Sequence, residues 1–539
     1  MANISCNTDG NSSNKLFSEE EKQLQSLIDT LKDLQLFEDG NRLMSRELVL
    51  KKVDKILKEF ALHEAINEGI EEMQAKKLRI QLKTFGSYRL GCHHPDADID
   101  VLCLAPRHCT RVKFFQKLPI LLEVSSFVSD LHVIPNAFVP VIKFKVDGIA
   151  VDMLFSCLYL ESIPEHINIL DDQFLNGLDD VSVRSLNGCR VTEKILQLIS
   201  HQEYFRITLT AIKYWARNRG IYSNVLGFLG GVNLAIMAAK VCQLYPDALP
   251  PTLLIKFFHL YHLWNWPNPL SITPCINPLQ LGFPSWNPKV YPKDRLHLMP
   301  IITPCYPSIN SSYNVMSSTL DVMKTEFKNA SLQVSNVRAK VLSWSELLTE
   351  ASFFDKYRHF LQVQISSEDE EDFGRWVTWV ESRLRTFFIR LEAIPFVRIR
   401  PFARFFNFQE LKGAYISWFF VALDFQRPED KRQNAQEPEL TIDFSDAVRA
   451  FANHVDQWEE RNSTMDLEVK HVVRSQIPAW VIDATYRNFA TVKGLIRKAE
   501  QYRYSAATPA NGEATSSSNF CDSDIENTCL SSHKDGANV

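Results

Sequence analysis

Apolar positions near the start of the chain follow a helical pattern. From Ser18 to Leu34 they recur at i, i+3, i+4 and i+7, and Glu21 stands three residues after Ser18, the spacing of a capping box. The same pattern extends from about Ser45 to Phe60. The first part of the chain is therefore expected to contain two helices.

Beyond these helices the apolar residues form short runs that are typical of strands. One run covers 99–105, and two alternating runs at 139–146 and 149–155 are separated only by Asp147-Gly148. An Asp-Gly pair between alternating runs is the strongest short-range hairpin signal. The sequence therefore predicts a β-hairpin here.

The rest of the chain divides into a helical part and a mixed part. Helical spacing returns at 205–264, a Pro-rich connection covers 264–307, and 343–391 is again expected to be helical. Strand and helix patterns then alternate: strands at 396–406 and 414–425, a helix at 444–458 and a strand at 466–473. We expect a mainly helical central unit and a small α/β sandwich after it.

Composition narrows the class of protein. The chain is 45% hydrophobic and 23% charged, typical of a globular protein, and it has no apolar stretch of the ~20 residues that span a bilayer and no signal-peptide pattern. We expect a soluble intracellular protein without a membrane partner. The 11 cysteines form no CxxC pair and are expected to be reduced core thiols.

The net charge of −5 comes mostly from the C-terminus. Residues 504–539 hold five acids against Lys534, a net −4, in a Ser/Thr/Asn-rich stretch that we expect to be a disordered acidic tail. The remaining chain is nearly neutral. A polyanion such as RNA would therefore need a local basic surface.

Three aspartates stand where strands are expected. Asp98 and Asp100 flank Ile99 at the start of an apolar run, so both carboxylates would project from one face. Like charges side by side favour a bound cation. Asp152 adds a third carboxylate within the apolar run 149–155, where an unpaired charge is costly. Together they predict a metal site, although a DxD pair alone also fits solvated edge-strand acids.

The segment before these acids suggests a phosphate site. Gly86-Ser87 falls in an expected turn into a short helix, where backbone N–H groups and a hydroxyl can bind phosphate oxygens. In the following loop, Asp96 is interpreted as a loop acid, and a histidine is more often structural than functional. Of His93 and His94, His94 is the better candidate for touching a nucleotide.

Residues 18–500 resemble the eukaryotic canonical poly(A) polymerases of the DNA polymerase β-type nucleotidyltransferase superfamily. Besides the Gly-Ser and DxD signature, the resemblance is carried by Val183–Thr192, Tyr222–Asn233 and His297–Val315. It implies an α+β multidomain protein: a flexible N-terminus (1–17), a polymerase β-like nucleotidyltransferase domain (18–197), a mainly helical central domain (198–349), an RRM-like α/β RNA-binding domain (350–503) and the acidic tail (504–539).

The resemblance also implies site residues. Two Mg²⁺ or Mn²⁺ ions would bind Asp98, Asp100 and Asp152, the catalytic residues. The ATP site would comprise Phe85, Gly86, Ser87, His94, Asp98, Ile99, Asp100, Asp152, Asn187, Lys213, Tyr222, Gly231 and Val232. From spacing alone, Lys213 fits a solvated basic helix face, and Gly230-Gly231 fits helix packing as well as close approach to adenine.

RNA contacts are expected in two places. The resemblance implies that Phe138 and Asn314 lie near RNA. In the third unit, arginines that can contact phosphates alternate with phenylalanines that can stack on bases, although most of these phenylalanines are expected to form core. The arginines are Arg398, Arg400 and Arg404, and the phenylalanines are Phe396, Phe402, Phe405 and Phe406.

The implied activity is template-independent addition of AMP from ATP to RNA 3′ ends, with pyrophosphate release, in mRNA polyadenylation. The implied partners are the 3′ end of pre-mRNA and cleavage and polyadenylation factors, and the enzyme is expected to be a nuclear monomer. A cytoplasmic form, a terminal uridylyltransferase and a non-catalytic RNA-processing scaffold stay open as alternatives. Pro95-Asp96 departs from the family pattern, and an added acid there would weaken triphosphate attraction or change the metal preference.

Overall fold

The computed structural model describes residues 18–274, 279, 281–338, 342–409, 413–426 and 442–485. Three packed units follow one another along the chain: an α/β unit, a helical unit and a second α/β unit. The expected flexible N-terminus and acidic tail lie outside the described residues, so both stay predictions.

The first unit is built around one five-stranded sheet. Strand order is β1-β2-β5-β4-β3, with β2 and β5 parallel and the other neighbours antiparallel. The elements in chain order are α1 (Glu19–Asp33), α2 (Gly40–Asn67), α3 (Glu72–Ala75), β1 (Gln81–Thr84), α4 (Gly86–Leu90), β2 (Ile99–Ala105), α5 (Arg111–Glu123), β3 (Val128–Ile134), β4 (Val141–Val146), β5 (Ile149–Cys157) and α6 (Asp180–Gln197).

Local sequence explains two of these elements. Ser18 and Glu21 form the predicted capping box at the start of α1. Strands β4 and β5 form the predicted hairpin, with Val146 opposite Ile149. Asp147 and Gly148 both have positive φ, 48° and 80°, as the tight turns that match strand twist require. Both predictions are confirmed.

Strand β2 is buried on both faces of the sheet. Val101 and Cys103 pack in the core shared with α2 and α5, whereas Leu102 and Leu104 pack with residues of α6. Because side chains alternate, Asp100 belongs to the same face as Leu102, the face covered by α6.

The second unit is helical, as predicted, and α1 packs with it. Its helices are α7 (Gln202–Asn218), α8 (Gly231–Leu244), α9 (Pro250–Leu263), α10 (Ser317–Arg338) and α11 (Trp344–Leu347). Leu27 and Leu31 of α1 are fully buried in the cluster formed by these helices, not in the core of the first sheet. The chain therefore crosses between two cores in the short link from α1 to α2.

The third unit has the βαββαβ order of an RRM-like sandwich. Its elements are α12 (Phe353–Lys356), β6 (His359–Ser367), α13 (Glu370–Glu392), β7 (Val397–Gln409), β8 (Tyr415–Phe425), α14 (Ser445–Val455), β9 (Asp466–Val473) and α15 (Ala479–Thr485). The sheet order is β7-β8-β6-β9, with all neighbours antiparallel. The expected α/β sandwich is confirmed.

One expectation in this unit is wrong. The stretch 343–391 was expected to be helical throughout, but β6 lies within it at the centre of the sheet, between β8 and β9. Leu361, Val363 and Ile365 are buried at two-residue spacing against α13. This period-two pattern is short and adjoins a long helix, so the helical pattern on either side obscured it.

Side chains join the units. Arg190 on α6 is 1% exposed; it pairs with Asp172 and donates to the backbone oxygens of Ile169 and Asp171 within the first unit, and to that of Tyr306 in the second. At the other junction a Cβ on Gly220, which follows α7, would overlap the Phe402 ring of β7. Each junction therefore contains side chains that pack closely against the next unit.

The cysteines and the helices of the described residues bear on two predictions made from composition. The described cysteines are free, and all but the partly exposed Cys157 are buried, as predicted. None of the described helices has the length and apolar character needed to cross a bilayer.

Candidate active site

The aspartates on β2 and β5 lie side by side. Asp100 is the direct partner of Asp152 in the parallel register of the two strands, so their side chains leave the same face of the sheet. Asp98 lies two residues before Asp100, immediately ahead of β2. The backbone therefore brings three carboxylates to one edge of the sheet face that α6 covers.

Gly86 allows the turn before these acids to approach them closely. It has φ +63°, and a Cβ on it would overlap the Asp100 carboxylate. The Phe85 N–H donates to the Asp100 backbone oxygen at 3.0 Å, and the Gly86 N–H donates to Thr192 Oγ1 on α6 at 3.2 Å. Ser87 follows directly in α4, so the Gly-Ser turn and the acid on β2 form one compact unit.

The carboxylates are electrostatically coupled. Burial and then the negative charges of Asp98 and Asp152 raise the pKa of Asp100 to about 7, although Lys143 and Lys213 lower it. Burial also raises the pKa of Asp152, against the opposing effect of its ion pair with Lys143 on β4. A site that disfavours carboxylate charge in this way is one that a cation would relieve.

The side chains are not arranged as a closed metal cage. Across the described ranges, no group of three His, Cys, Asp or Glu side chains is positioned to hold an ion. The Asp152 carboxylate contacts Lys143 Nζ instead. Ion binding would have to replace this ammonium group with the cation, a change of partner for one side chain on a backbone that already places the acids together.

The second unit supplies the opposite wall. Lys213 on α7 is 7% exposed, and its Nζ donates to the Cys92 backbone oxygen at 3.0 Å, in the loop that leads to Asp98. The Arg217 guanidinium lies over the Tyr222 ring, 5.0 Å from its centroid. Basic groups thus gather near the acids, and the interpretation of Lys213 as a solvated residue is wrong because α7 buries this position.

The N-terminus of α8 faces Tyr222. A Cβ on Gly231 would lie 3.1 Å from the Tyr222 hydroxyl. Asn233 Oδ1 accepts from the Gly230 N–H at 2.7 Å. Val232 follows Gly231 in the first turn and is 40% exposed. The two glycines therefore serve a close approach between the helix start and an aromatic side chain.

Asn187 lies on α6, the helix that covers the aspartate face. Its Oδ1 is buried and makes no hydrogen bond within the described part of the chain. A Cβ on the neighbouring Gly188 would press on the Phe85 ring. Ile99, between the two acids of the DxD pair, is fully buried with the α2 side of the core.

The loop before Asp98 is held by residues that the sequence did not reveal. His93 Nε2 contacts Glu38 Oε2 at 2.7 Å, and burial lowers the pKa of His93, although Glu38 raises it. Arg46 Nη2 donates to the Pro95 oxygen at 2.8 Å. Glu38 and Arg46 gave no sequence signal, because charged residues in and beside an amphipathic helix are usually solvated.

Asp96 and His94 of the same loop differ in exposure. Asp96 pairs with Arg42 at 3.1 Å and is 77% exposed, which agrees with its interpretation as a loop acid and leaves its charge compensated away from the other aspartates. His94 is partly buried, and burial followed by the charge of Arg217 lowers its pKa.

Hydrogen bonds join two of the segments that carry the resemblance, Tyr222–Asn233 and His297–Val315. Asn314 Nδ2 donates to the backbone oxygen and Oδ1 of Asn224 at 3.1 and 3.0 Å. Ser311 accepts from Asn224 through its backbone oxygen and from Asn233 through its hydroxyl. Asn314 is only 9% exposed, so its visible role is to support the loop between Tyr222 and α8.

The RNA-contact candidates fall into two groups. Phe138 is 72% exposed, and the Arg184 guanidinium lies 4.2 Å from its ring centroid. Arg398 is exposed on β7, but the Arg400 side chain is 13% exposed and lies 3.9 to 4.0 Å from the carboxylates of Asp321 and Asp424.

The phenylalanines of β7 are mostly core. Phe402 and Phe406 are 2% and 3% exposed in a cluster that contains α12, α15 and the sheet face opposite α13. The expectation that most of these phenylalanines form core is confirmed for Phe402 and Phe406, which cannot stack on bases. The helices α13 and α14 pack on one face of this sheet, and α12 and α15 cover the other face.

The site has the features of a nucleotidyltransferase. Two parallel strands carry acids, a Gly-Ser turn lies beside them, and the cationic helix α7 of the second unit lies close by. Family models agree along the chain: the poly(A) polymerase nucleotidyltransferase domain matches residues 12–199, the central domain 204–350, and the predicted RNA binding domain 352–414 and 409–488. The chain belongs to the poly(A) polymerase family.

Curated relatives agree. The poly(A) polymerase of Dictyostelium discoideum is 38% identical over 466 residues, 85% of this chain and 57% of that protein. Nuclear poly(A) polymerases 1 and 4 of Arabidopsis thaliana are 38% and 40% identical over 86% and 85% of this chain. The matched segment spans 64% and 61% of these two proteins, so the chain corresponds to about three fifths of its relatives.

Solved structures add little. A cytoplasmic RNA terminal U-transferase is 15% identical with a TM-score of 0.43, over 61% of this chain and 99% of that one. A likeness of this size does not bear on which nucleotide this chain uses.

Proposed function

We propose that the chain is a polynucleotide adenylyltransferase that adds AMP from ATP to RNA 3′ ends and releases pyrophosphate. The observation that carries the proposal is the register of β2 and β5, which places Asp100 beside Asp152 on one face. Family membership supports the reaction class, and the names of the relatives favour ATP over UTP.

Carboxylate oxygens are the ligands that Mg²⁺ and Mn²⁺ prefer, so the donor set fits divalent ions. Two such ions would lower the pKa of the RNA 3′-hydroxyl and stabilise the charge on the triphosphate. Asp98, Asp100 and Asp152 would hold them. For Asp152 this requires release of Lys143, whose ammonium group then becomes available for a phosphate.

The other residues orient the substrates. In the proposed reaction the 3′-hydroxyl oxygen bonds to the α-phosphorus, the bond to the β-phosphate oxygen breaks, and pyrophosphate leaves. The Ser87 hydroxyl and backbone N–H groups of α4 would bind phosphate oxygens, and Lys213 would offset charge on the leaving group. Tyr222, Asn187 and the first turn of α8 would contact the base and ribose.

RNA would approach along the exposed Phe138 side of the first sheet. Its ring is available for stacking, and Arg184 supplies a positive charge beside it. Arg398 on β7 would add a phosphate contact. The proposed substrate is the 3′ end of pre-mRNA, with cleavage and polyadenylation factors as partners and a nuclear location, as the names of two relatives suggest. A fluorescent fusion would separate a nuclear from a cytoplasmic form.

The test is primer extension by the purified chain with each of the four NTPs and Mg²⁺ or Mn²⁺. We expect extension with ATP and its loss in Asp98→Asn and Asp152→Asn. The matched control is Asp147→Asn, an acid of the same hairpin that pairs with Lys52 at 2.7 Å and should keep full activity. Preferential extension with UTP would favour the uridylyltransferase, and RNA binding without extension would favour the scaffold.

A further inference from the structure

The loop of residues 91–97 connects α4 to β2 and presents Asp98. It is held from two sides: Lys213 of the second unit donates to the Cys92 oxygen at 3.0 Å, and Arg46 of α2 donates to the Pro95 oxygen at 2.8 Å. His93 between them contacts Glu38 at 2.7 Å. Three consecutive contacts thus set the path of the chain into the site.

Glu38 is the common partner in this arrangement. One carboxylate oxygen binds Arg46 Nε at 2.8 Å and the other binds His93 Nε2, and the Glu38 and Arg46 side chains are 3% and 2% exposed. It lies in the link between α1 and α2, where the chain passes from one core to the other.

A buried ion pair is a weak source of stability, because desolvation of the two charges offsets their attraction and apolar residues of similar volume would often do as well. This pair does something an apolar pair cannot do. Glu38 fixes the direction of the His93 ring through Nε2 and of the Arg46 guanidinium group, which is bound through Nε and Nη2. A planar group bound through two nitrogens, as at Arg46, has little freedom.

We infer that Glu38 is a positioning residue for the catalytic carboxylates: by binding Arg46 and His93 it holds the 91–97 loop in the path that delivers Asp98. The inference rests on the proposed function for its kinetic meaning. Glu38 would touch neither substrate nor metal and would act only through the loop.

A surface pair on the same loop provides the contrast. Arg42 stands one helical turn before Arg46 and pairs with Asp96 at 3.1 Å, but the two side chains are 52% and 77% exposed. Solvent screens such a pair, so it should hold the loop weakly. Arg42→Gln is therefore the matched control, with the same helix, the same loop and the same type of residue.

The test compares Glu38→Gln, Arg46→Lys and Arg42→Gln in the full chain. Kinetics of primer extension give kcat and the ATP KM, and water-proton relaxation gives Mn²⁺ affinity in the absence of turnover. In Glu38→Gln and Arg46→Lys we expect kcat and Mn²⁺ affinity to fall about 10- to 100-fold, the usual effect of groups that orient metal ligands, with little change in the ATP KM. Arg42→Gln should match wild type in all three.

A folded Glu38→Gln protein with wild-type Mn²⁺ affinity and kcat would overturn the inference. If Glu38→Gln does not fold, Arg46→Lys decides, since it keeps the charge but cannot bind Glu38 and Pro95 together. If neither variant folds, the cluster serves stability and the inference fails. Failure of the proposed function looks different: wild type would then bind Mn²⁺ without extending RNA, and Mn²⁺ affinity would still rank the variants.

Discussion

The aspartates of β2 and β5 and the arginines of β7 are both charged residues on strands, yet their surroundings differ. Asp100 is partly buried beside Asp152, and the structure records no ion pair for it among the residues described, whereas Asp152 pairs with Lys143. Arg400 and Arg404 are each 12 to 13% exposed and lie close to carboxylates. A strand charge without an ion pair, as at Asp100, points to a binding site, whereas strand charges close to carboxylates, as at Arg400 and Arg404, point to a structural role.

The largest expected effect tests the acid side of this comparison. Gly86→Ala should reduce extension at least about a hundredfold, the loss typical of a displaced electrostatic group, because the new Cβ would overlap the Asp100 carboxylate. Gly148→Ala is the control: it also has positive φ, but no atom lies within 4 Å of its Cβ position. It should lose only about 1 to 2 kcal/mol of stability and keep its activity. Equal activity in both variants would contradict the close approach.

The arginine side is tested by stability. Arg404 pairs with Glu350 at 3.5 Å, with side-chain exposures of 12% and 5%. Arg404→Gln removes the cation beside the buried Glu350 carboxylate and should lower the free energy of unfolding by about 3 to 5 kcal/mol in urea titrations at pH 8, above the pKa of Glu350. Arg449→Gln breaks an exposed pair with Asp446 in the same unit and should cost less than about 1 kcal/mol. Similar small losses would show that Arg404 is not structural.

The same pair predicts a pH dependence. Burial raises the pKa of Glu350 to about 7, against 4.5 for a solvated glutamate, although Arg404 lowers it. The folded protein therefore binds this proton more tightly, so its stabilising contribution is complete below about pH 4.5 and disappears as the pH rises through about 7. Relative to Glu350→Gln, wild type should lose at most about 3 kcal/mol of unfolding free energy between pH 5 and 8. Parallel profiles of the two proteins would contradict this.

The smallest effect compares exposed aromatic residues of the two regions. Phe138→Ala should raise the primer KM about five- to tenfold, which corresponds to the lower end of the about 1 to 3 kcal/mol that stacking on a base contributes. Phe396 precedes β7 and is 44% exposed against 72% for Phe138. Phe396→Ala should leave the primer KM close to wild type, if the arginine strand is structural. A larger effect at Phe396 would move the RNA path to the third unit.

The sequence predicted features that depend on local chemistry. The Asp147-Gly148 turn and the shared face of Asp98 and Asp100 follow from backbone geometry alone, and the hairpin brings β5 into the same sheet. Strand β6 was missed because its short alternation adjoins α13 and only its position between β8 and β9 explains it.

Partners from distant segments escaped prediction. Nothing in the sequence around Arg400 points to Asp321, and nothing around His93 points to Glu38, because those partners are 79 and 55 positions away and only tertiary packing brings them together. Residues that support a site are therefore harder to predict than residues that form it.

The packing of α1 has a practical consequence for anyone who wishes to study the units separately. Leu27 and Leu31 precede the first sheet in sequence but are buried with helices that follow it. A fragment that ends after α6 would leave these two leucines in water, and one that starts at α7 would leave the pocket they fill open. Residues 18–36 therefore belong with the helical unit rather than with the sheet they precede, and a helical piece made alone needs them supplied in trans or fused to it.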